Sequence, residues 1–309
     1  MEQQTHQQQR LLDPNATFAN LCNRLNIDAR IRKAIARQGY VRPTLVQSQS
    51  LPLAIESGRD LLVRARTGSG KTLAYVLPIL HKILRSKETI ADVNANVKVN
   101  VNMNDENDYI KAVILVPTRE LCHQVYVTVK SLCYYCEDVI GLVVLSNINH
   151  HTQHPSSSSS GGSSSEKEHL AAQEAMLRDK PDIIVSTPAG LLKHLKRDSI
   201  RLKNSVETFV IDEADLVLSF GYSNDIAEIV KALPKICQGF LLSATLSPEL
   251  DSLKKIVLHS PAILKLEEDD DGFLSTSRGT LMQFYLKLPR HDKYLVIYVF
   301  LKVCLCLCM

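Results

Sequence analysis

The sequence predicts an α/β fold: a mostly parallel β-sheet with helices packed on both faces. Short apolar runs alternate with longer stretches of helical period, the rhythm of successive β-α-β units. The runs are nearly unbroken in Leu, Ile and Val, as strands covered on both faces require. The 309-residue chain, 45% apolar and 22% charged, can bury one large α/β core, or one domain and part of another.

Taken in order, the chain opens on MEQQTHQQQR, polar and Gln-rich, and residues 1–17 are expected to be disordered. This stretch lacks the apolar core of a secretory signal, so the expected address is cytosol or nucleus. Candidate strands follow at Asp60–Arg64, Ala112–Pro117, Val139–Ser146, Asp182–Ser186, Thr208–Ile211 and Gly239–Ser243. Between them lie helical stretches such as Thr72–Leu84, which Pro78 is expected to bend, and Arg119–Cys133. Two segments break the rhythm. An Asn/Val alternation at about 90–108 reads as a disordered surface insertion, with an edge strand as the other reading. A second insertion at about 147–167 contains HHTQHPSSSSSGGSSS, the composition of a flexible linker.

The net charge of +3 is too small for an overall field to attract nucleic acid, so any such binding needs a local face. The eight cysteines lack a framework spacing and suit a reducing compartment. Cys133 and Cys136 have the gap of half a zinc site, but no second pair follows, and a buried pair of thiols is expected. The ending YLVIYVFLKVCLCLCM is 16 residues long and carries Lys302, short of the about 20 apolar residues of a membrane-spanning helix, so no membrane partner is expected. Its last four residues formally match a prenylation box, without the aliphatic third position or a preceding basic cluster.

The first chemistry-bearing stretch is Ala65-Arg66-Thr67-Gly68-Ser69-Gly70-Lys71-Thr72. An apolar strand runs in and a helix runs out, the placement a phosphate-binding loop needs. Backbone N–H groups at the helix start converge on phosphate oxygens. Gly68 and Gly70 admit positive φ, Lys71 brings a charge to the β- and γ-phosphates, and Thr72 offers its hydroxyl to Mg²⁺. Ala65 stands where the pattern usually has glycine and needs only a negative φ. Such a site also needs a carboxylate at the end of a neighbouring strand, and Phe209-Val-Ile-Asp212-Glu213-Ala-Asp215 supplies it. Asp212 would hold Mg²⁺ through its water shell, and Glu213 would polarise an attacking water.

With PTREL at 117–121 and SAT at 243–245, these stretches stand in the order of the first RecA-like domain of a DEAD-box RNA helicase, which this chain resembles over residues 18–302. The resemblance implies an ATP- and Mg²⁺-dependent enzyme that remodels RNA duplexes. It makes Lys71, Asp212 and Glu213 catalytic, and residues 65–72 the phosphate grip. The segment Gly39–Gln47 resembles the family's Q motif, whose Gln47 reads the adenine edge. The aromatic that packs on adenine falls near Cys22, with Phe18 one turn earlier. Pro117, Thr118, Arg119 and Thr187 would face RNA phosphates, Thr187 in a segment lacking the family's arginine. Asp215, Ser243 and Thr245 would couple the nucleotide's state to domain geometry through hydroxyl–carboxylate bonds.

Residues flanking the phosphate loop and Ser219-Phe-Gly-Tyr222 resemble a nucleolar branch that assembles the large ribosomal subunit, implying pre-ribosomal particles as partners and a nuclear, nucleolar address. By the same resemblance 18–265 is the ATP-binding domain, 266–288 a linker and 289–309 the start of a second RecA-like domain, expected to be cut short. That second domain carries an arginine finger worth about 10³–10⁵ in rate in related phosphoryl transfer, so weak ATP binding and very slow turnover are expected of this chain. A non-catalytic RNA- or partner-binding fragment is the alternative reading.

Overall fold

The computed structural model describes residues 11–96, 109–146, 162–245, 247–266 and 286–307. The chain divides into two units, Met1–Glu267 and Glu268–Met309. The first is built on a seven-stranded sheet, all of whose pairings are parallel. In chain order the strands are β1 (Leu61–Arg64), β2 (Ala112–Leu115), β3 (Leu142–Leu145), β4 (Ile183–Ser186), β5 (Thr208–Ile211), β6 (Gln238–Ser243) and β7 (Ala262–Lys265). Their spatial order is β3-β4-β2-β5-β6-β1-β7.

Alternation along each strand feeds two cores. Leu61, Val63, Ala112, Ile114, Val210, Phe240 and Leu242 point into one face. Leu62, Val113, Leu115, Phe209, Ile211 and Leu241 point into the other. Successive strand side chains face opposite ways, so an unbroken apolar run is what a doubly covered strand needs. Helices α1 (Phe18–Arg24), α2 (Ala29–Arg37), α3 (Leu45–Ile55), α4 (Lys71–Asn96) and α5 (Arg119–Leu132) add their buried residues to the first face. Helices α6 (Gly162–Arg178), α7 (Pro188–Lys196), α8 (Ala214–Ser219), α9 (Ser223–Lys231) and α10 (Pro248–Val257) cover the second. In the second unit, α11 (Lys293–Leu307) exposes Tyr294, Leu295, Tyr298 and Phe300. No helix among the described residues is long and apolar enough to cross a membrane.

Several expectations change. The edge strand β7 was not foreseen, because its alternating half-buried and exposed residues do not form an apolar run. Residues 139–141 precede β3 in a turn, where the Val139 and Ile140 N–H groups both donate to the Cys136 carbonyl. Residues 11–17 are placed: Leu12 bridges to Thr44, and the Asp13 N–H donates to the Pro43 carbonyl at 2.9 Å. Residues 1–10 lie outside the described residues. Of the expected insertions, 90–96 continue α4 and 162–167 open α6, while 97–108 and 147–161 are outside the description. Cys133 and Cys136 are both buried, and no group of three or more His, Cys, Asp or Glu among the described residues is placed to hold a metal.

One buried titratable group ties the second face together. His194 on α7 is fully buried and donates from Nε2 to Gln173 Oε1 at 3.0 Å, while Gln173 Nε2 donates to the Ser146 carbonyl. Nδ1 has no partner among the described residues. Burial holds the imidazole below its ordinary value, and burial does the same to His81. The folded state therefore refuses protons that the unfolded chain accepts, so stability is full above the ordinary imidazole pKa, near 6.5, and is lost as pH falls below it. Thermal unfolding followed from pH 7.5 to pH 5.5 should show a falling midpoint. His194→Gln should flatten that fall without abolishing it, because His81 remains.

Candidate functional site

Parallel strands end on one edge, and that edge gathers most of the residues singled out in the sequence. The phosphate loop leaves β1 through Ala65, whose N–H donates to the Ser243 carbonyl on β6. Gly68 and Gly70 take φ of +83° and +87°, conformations that L side chains rarely adopt. Arg66, Thr67 and Gly68 are exposed, Ser69 and Lys71 buried. Ser69 Oγ has no partner within the described residues, the condition of a donor aimed at something from outside the chain.

Asp212 and Glu213 follow β5. This strand does not neighbour β1 as expected; β6 lies between them, and its end brings Ser243 into the site. Loop and acids nevertheless meet. Lys71 Nζ lies 3.4 Å from Glu213 Oε1 and donates to the Ala65 carbonyl at 3.1 Å, and the Thr67 hydroxyl donates to the same Glu213 oxygen at 3.4 Å. Glu213 takes a left-handed φ of 49° at the start of α8, and its N–H donates to Asp212 Oδ1 at 2.9 Å. That conformation is costly for a residue with a Cβ, and strain of this kind concentrates where function demands it. Here the Glu213 carboxylate makes no cap to its own helix and turns to the loop instead.

Asp212 is buried, and burial pushes its carboxyl up to about 6, with Lys71 pulling it down and Glu213 raising it further. A desolvated carboxylate after β5 and a threonine hydroxyl in the first turn of α4 are oxygen donors of the kind that suits Mg²⁺, which keeps most of its waters. One member of this site went unremarked in the sequence. Tyr75, fully buried on α4, donates its hydroxyl to Asp212 Oδ2 at 3.0 Å. Burial, then Asp212, holds the phenol well above its ordinary value, so it stays a neutral donor. The available signal was a hydroxyl inside the apolar run Leu73–Leu77, one helical turn past Lys71.

Gln47 sits at the third position of α3 in a capping box. Its Oε1 accepts the Thr44 N–H at 2.9 Å, the Thr44 hydroxyl accepts the Gln47 N–H, and Gln47 Nε2 donates to the Gly70 carbonyl at 3.0 Å. The side chain expected to read a base thus also braces the phosphate loop. Phe18 and Cys22 are both core residues, 3% and 2% exposed, with the Phe18 ring 6.4 Å from that of Tyr40. Tyr40 is the aromatic this segment leaves open, 41% exposed.

Of the coupling set, Thr245 donates from its hydroxyl to Asp215 Oδ2 at 3.0 Å and from its N–H at 3.2 Å. Ser243 does not reach a carboxylate as expected. Its hydroxyl is fully buried and donates to the Thr245 carbonyl at 2.8 Å, because the chain folds back on itself at the end of β6. On the other half of the edge, Thr118 and Thr187 cap α5 and α7, each hydroxyl accepting a backbone N–H three residues on. They follow the paired strands β2 and β4, so two helix N-termini open side by side. Pro117 is buried and Arg119 exposed. A cavity of about 790 Å³ lies elsewhere, at the amino ends of the strands, lined by Asp60, Glu207 and Gln238.

A family model described as DEAD/DEAH box helicase matches residues 44–253. A probable ATP-dependent RNA helicase ddx56 of Dictyostelium discoideum is 41% identical over 293 residues, covering 95% of this chain and 36% of that protein. The ATP-dependent RNA helicase dbp9 of Sclerotinia sclerotiorum is 41% identical over 288 residues, covering 93% and 40%. The chain thus spans about two fifths of the length of these relatives. Among solved structures, a DEAD box protein from the hyperthermophile Methanococcus jannaschii matches with a TM-score of 0.61 at 26% identity, over 93% of this chain and 63% of that one. An S. cerevisiae dbp5 bound to gle1 and ip6 matches with a TM-score of 0.59 at 21% identity, over 80% and 52%, a likeness of fold.

The two loop glycines should differ in what they tolerate. A Cβ at Gly68 meets nothing within 4 Å, whereas one at Gly70 would overlap Gln47 Nε2 and be crowded by Thr44. Gly68→Ala should cost only backbone strain, about 1–2 kcal/mol, and Gly70→Ala more than that, since the brace must also move. Urea denaturation of both variants measures the order.

Proposed function

The chain belongs to the DEAD/DEAH box helicase family, and from that premise we propose that its first unit binds ATP–Mg²⁺ and RNA on one edge of the sheet, as the ATP-binding half of an enzyme whose longer form hydrolyses the nucleotide to remodel RNA duplexes. The observation that carries the reading is the convergence of Lys71 on Glu213, with Asp212 beside it at the end of β5.

In this reading the N–H groups of residues 67–72 and the Ser69 hydroxyl receive the phosphate oxygens, and Lys71 brings its charge to the β- and γ-phosphates. Thr72 and Asp212 would hold Mg²⁺. The metal, when bound, neutralises charge building on the transferred phosphoryl group. Glu213 accepts a proton from the attacking water; to do so it must leave Lys71, which the arriving phosphate allows by taking over the lysine's charge. Gln47 faces the adenine edge while bracing Gly70. The bonds from Thr245 to Asp215 join the acidic segment after β5 to the end of β6, a route by which the nucleotide's state moves the backbone there. Pro117, Thr118, Arg119 and Thr187 place RNA phosphates against two helix N-termini, contacts that hold a strand without reading its sequence.

The domain assignment goes with this: 18–265 for the ATP-binding domain, 266–288 for a linker and the segment from 289 for part of a second RecA-like domain. A role on pre-ribosomal RNA in the nucleolus is part of the same proposal, and rests on the resemblance of the residues flanking the phosphate loop and of Ser219–Tyr222.

The roles separate by mutation. Lys71→Ala should abolish ATP–Mg²⁺ binding measured with a fluorescent ATP analogue. Glu213→Gln should keep binding and remove the slow phosphate release that the chain supports, since a positioned base is worth about 10²–10⁴-fold. Unchanged turnover in the Gln variant would remove Glu213 from the chemistry.

A further inference from the structure

We propose that Tyr75 is a positioning residue for the metal-holding carboxylate: its hydroxyl fixes Asp212 relative to the phosphate loop and so sets how tightly Mg²⁺ is held with the nucleotide. The inference rests on the nucleotide site described above and adds to it a residue from outside the acidic segment and the loop.

Among the described residues, each Asp212 oxygen has one donor. Oδ1 takes the Glu213 N–H at 2.9 Å and Oδ2 takes the Tyr75 hydroxyl at 3.0 Å. The two donors are not equivalent. The Glu213 N–H is one residue away and follows Asp212 wherever the backbone carries it. Tyr75 is 137 positions away in sequence and belongs to another element, so its bond is the one that orients the carboxylate against the rest of the fold. A carboxylate oxygen has two lone pairs. With one on each oxygen taken, the remaining directions are set, and water molecules around Mg²⁺ must match them.

The source of the donor matters as much as its presence. Tyr75 lies on α4, whose first residues are Lys71 and Thr72. One turn of a single rigid helix therefore separates the residues that meet the phosphates and the metal from the group that orients the acid. The ring is 0% exposed and packed in the core of the first face, so the hydroxyl has little freedom to search. The arrangement ties two parts of the site, carried by β1 and by β5, which are not neighbours in the sheet. Removing only the oxygen keeps the packing and leaves Asp212 a buried lone pair with freedom to turn.

The test is Tyr75→Phe, which preserves the ring. Binding of a fluorescent ATP analogue would be measured in EDTA and across a Mg²⁺ titration, with thermal unfolding as the control for folding. The Mg²⁺ concentration that gives half-maximal tightening should rise about ten-fold, while affinity in EDTA stays within about two-fold of the parent, the scale of losing one hydrogen bond to a charged group. On an Asp212→Asn background, which loses the Mg²⁺ response by itself, Tyr75→Phe should add nothing further. An unchanged Mg²⁺ midpoint overturns the proposal. Equal weakening in EDTA and in Mg²⁺ also overturns it, since it would mean that the tyrosine only supports the loop's packing. Full additivity of the two substitutions would do the same. Failure of the parent chain to bind the analogue under any condition would remove the nucleotide reading itself, and this inference with it.

Discussion

The site depends on one constraint: β5, β6 and β1 run the same way, so their carboxyl ends, and the loops leaving them, share an edge. Reversing either β1 or β5 would send Lys71 and Glu213 to opposite edges of the sheet. Instead the lysine amine stands 3.4 Å from the glutamate, with Ser243 of the intervening strand accepting the Ala65 N–H at its carbonyl. Parallel sheets must be covered on both faces, and the two apolar cores supply that cover. The cores therefore do more than stabilise: they supply the cover that a parallel sheet, and so this shared edge, requires.

That edge is where the fold accepts unfavourable features. Asp212 is buried with its carboxyl raised to about 6, Glu213 holds a left-handed backbone, and two glycines sit at positive φ. The buried acid and the left-handed glutamate are destabilising alone, whereas the glycines take their φ without steric cost. They are held by bonds from elements that are themselves well packed: Tyr75 on α4, Gln47 on α3, and the Ser243–Thr245 turn after β6. A scaffold of this kind keeps charged groups close together in a partly dry setting, where their interactions exceed those in water.

Much of this was legible in the sequence, for identifiable reasons. Doubly buried strands announce themselves as apolar runs, which is why Thr208–Ile211 was read at its observed limits. The loop from Ala65 to Thr72 and the acids at 212 and 213, which the structure brings together, stand out in the sequence because few residue types suit the roles proposed for them. The edge strand β7 was hidden by its mixed burial, and residues 11–17 by a polar composition that masks a bridge to Thr44. Strand order was beyond reach, since nothing local says that β6 enters between β5 and β1. Tyr75 was hidden for a different reason: in an apolar helical run it reads as core, and it is core, apart from one oxygen. Ser243 was assigned to a carboxylate because a hydroxyl's partner depends on a backbone turn that spacing does not specify.

The most direct measurement is a crystal structure of the chain with Mg²⁺ and a non-hydrolysable ATP analogue. The account predicts the triphosphate along the backbone N–H groups of residues 67–72, with Lys71 turned from Glu213 to the phosphates and the metal's waters on Asp212. Nucleotide found instead in the cavity at the amino ends of the strands, or a triphosphate that leaves Lys71 on Glu213, would contradict it.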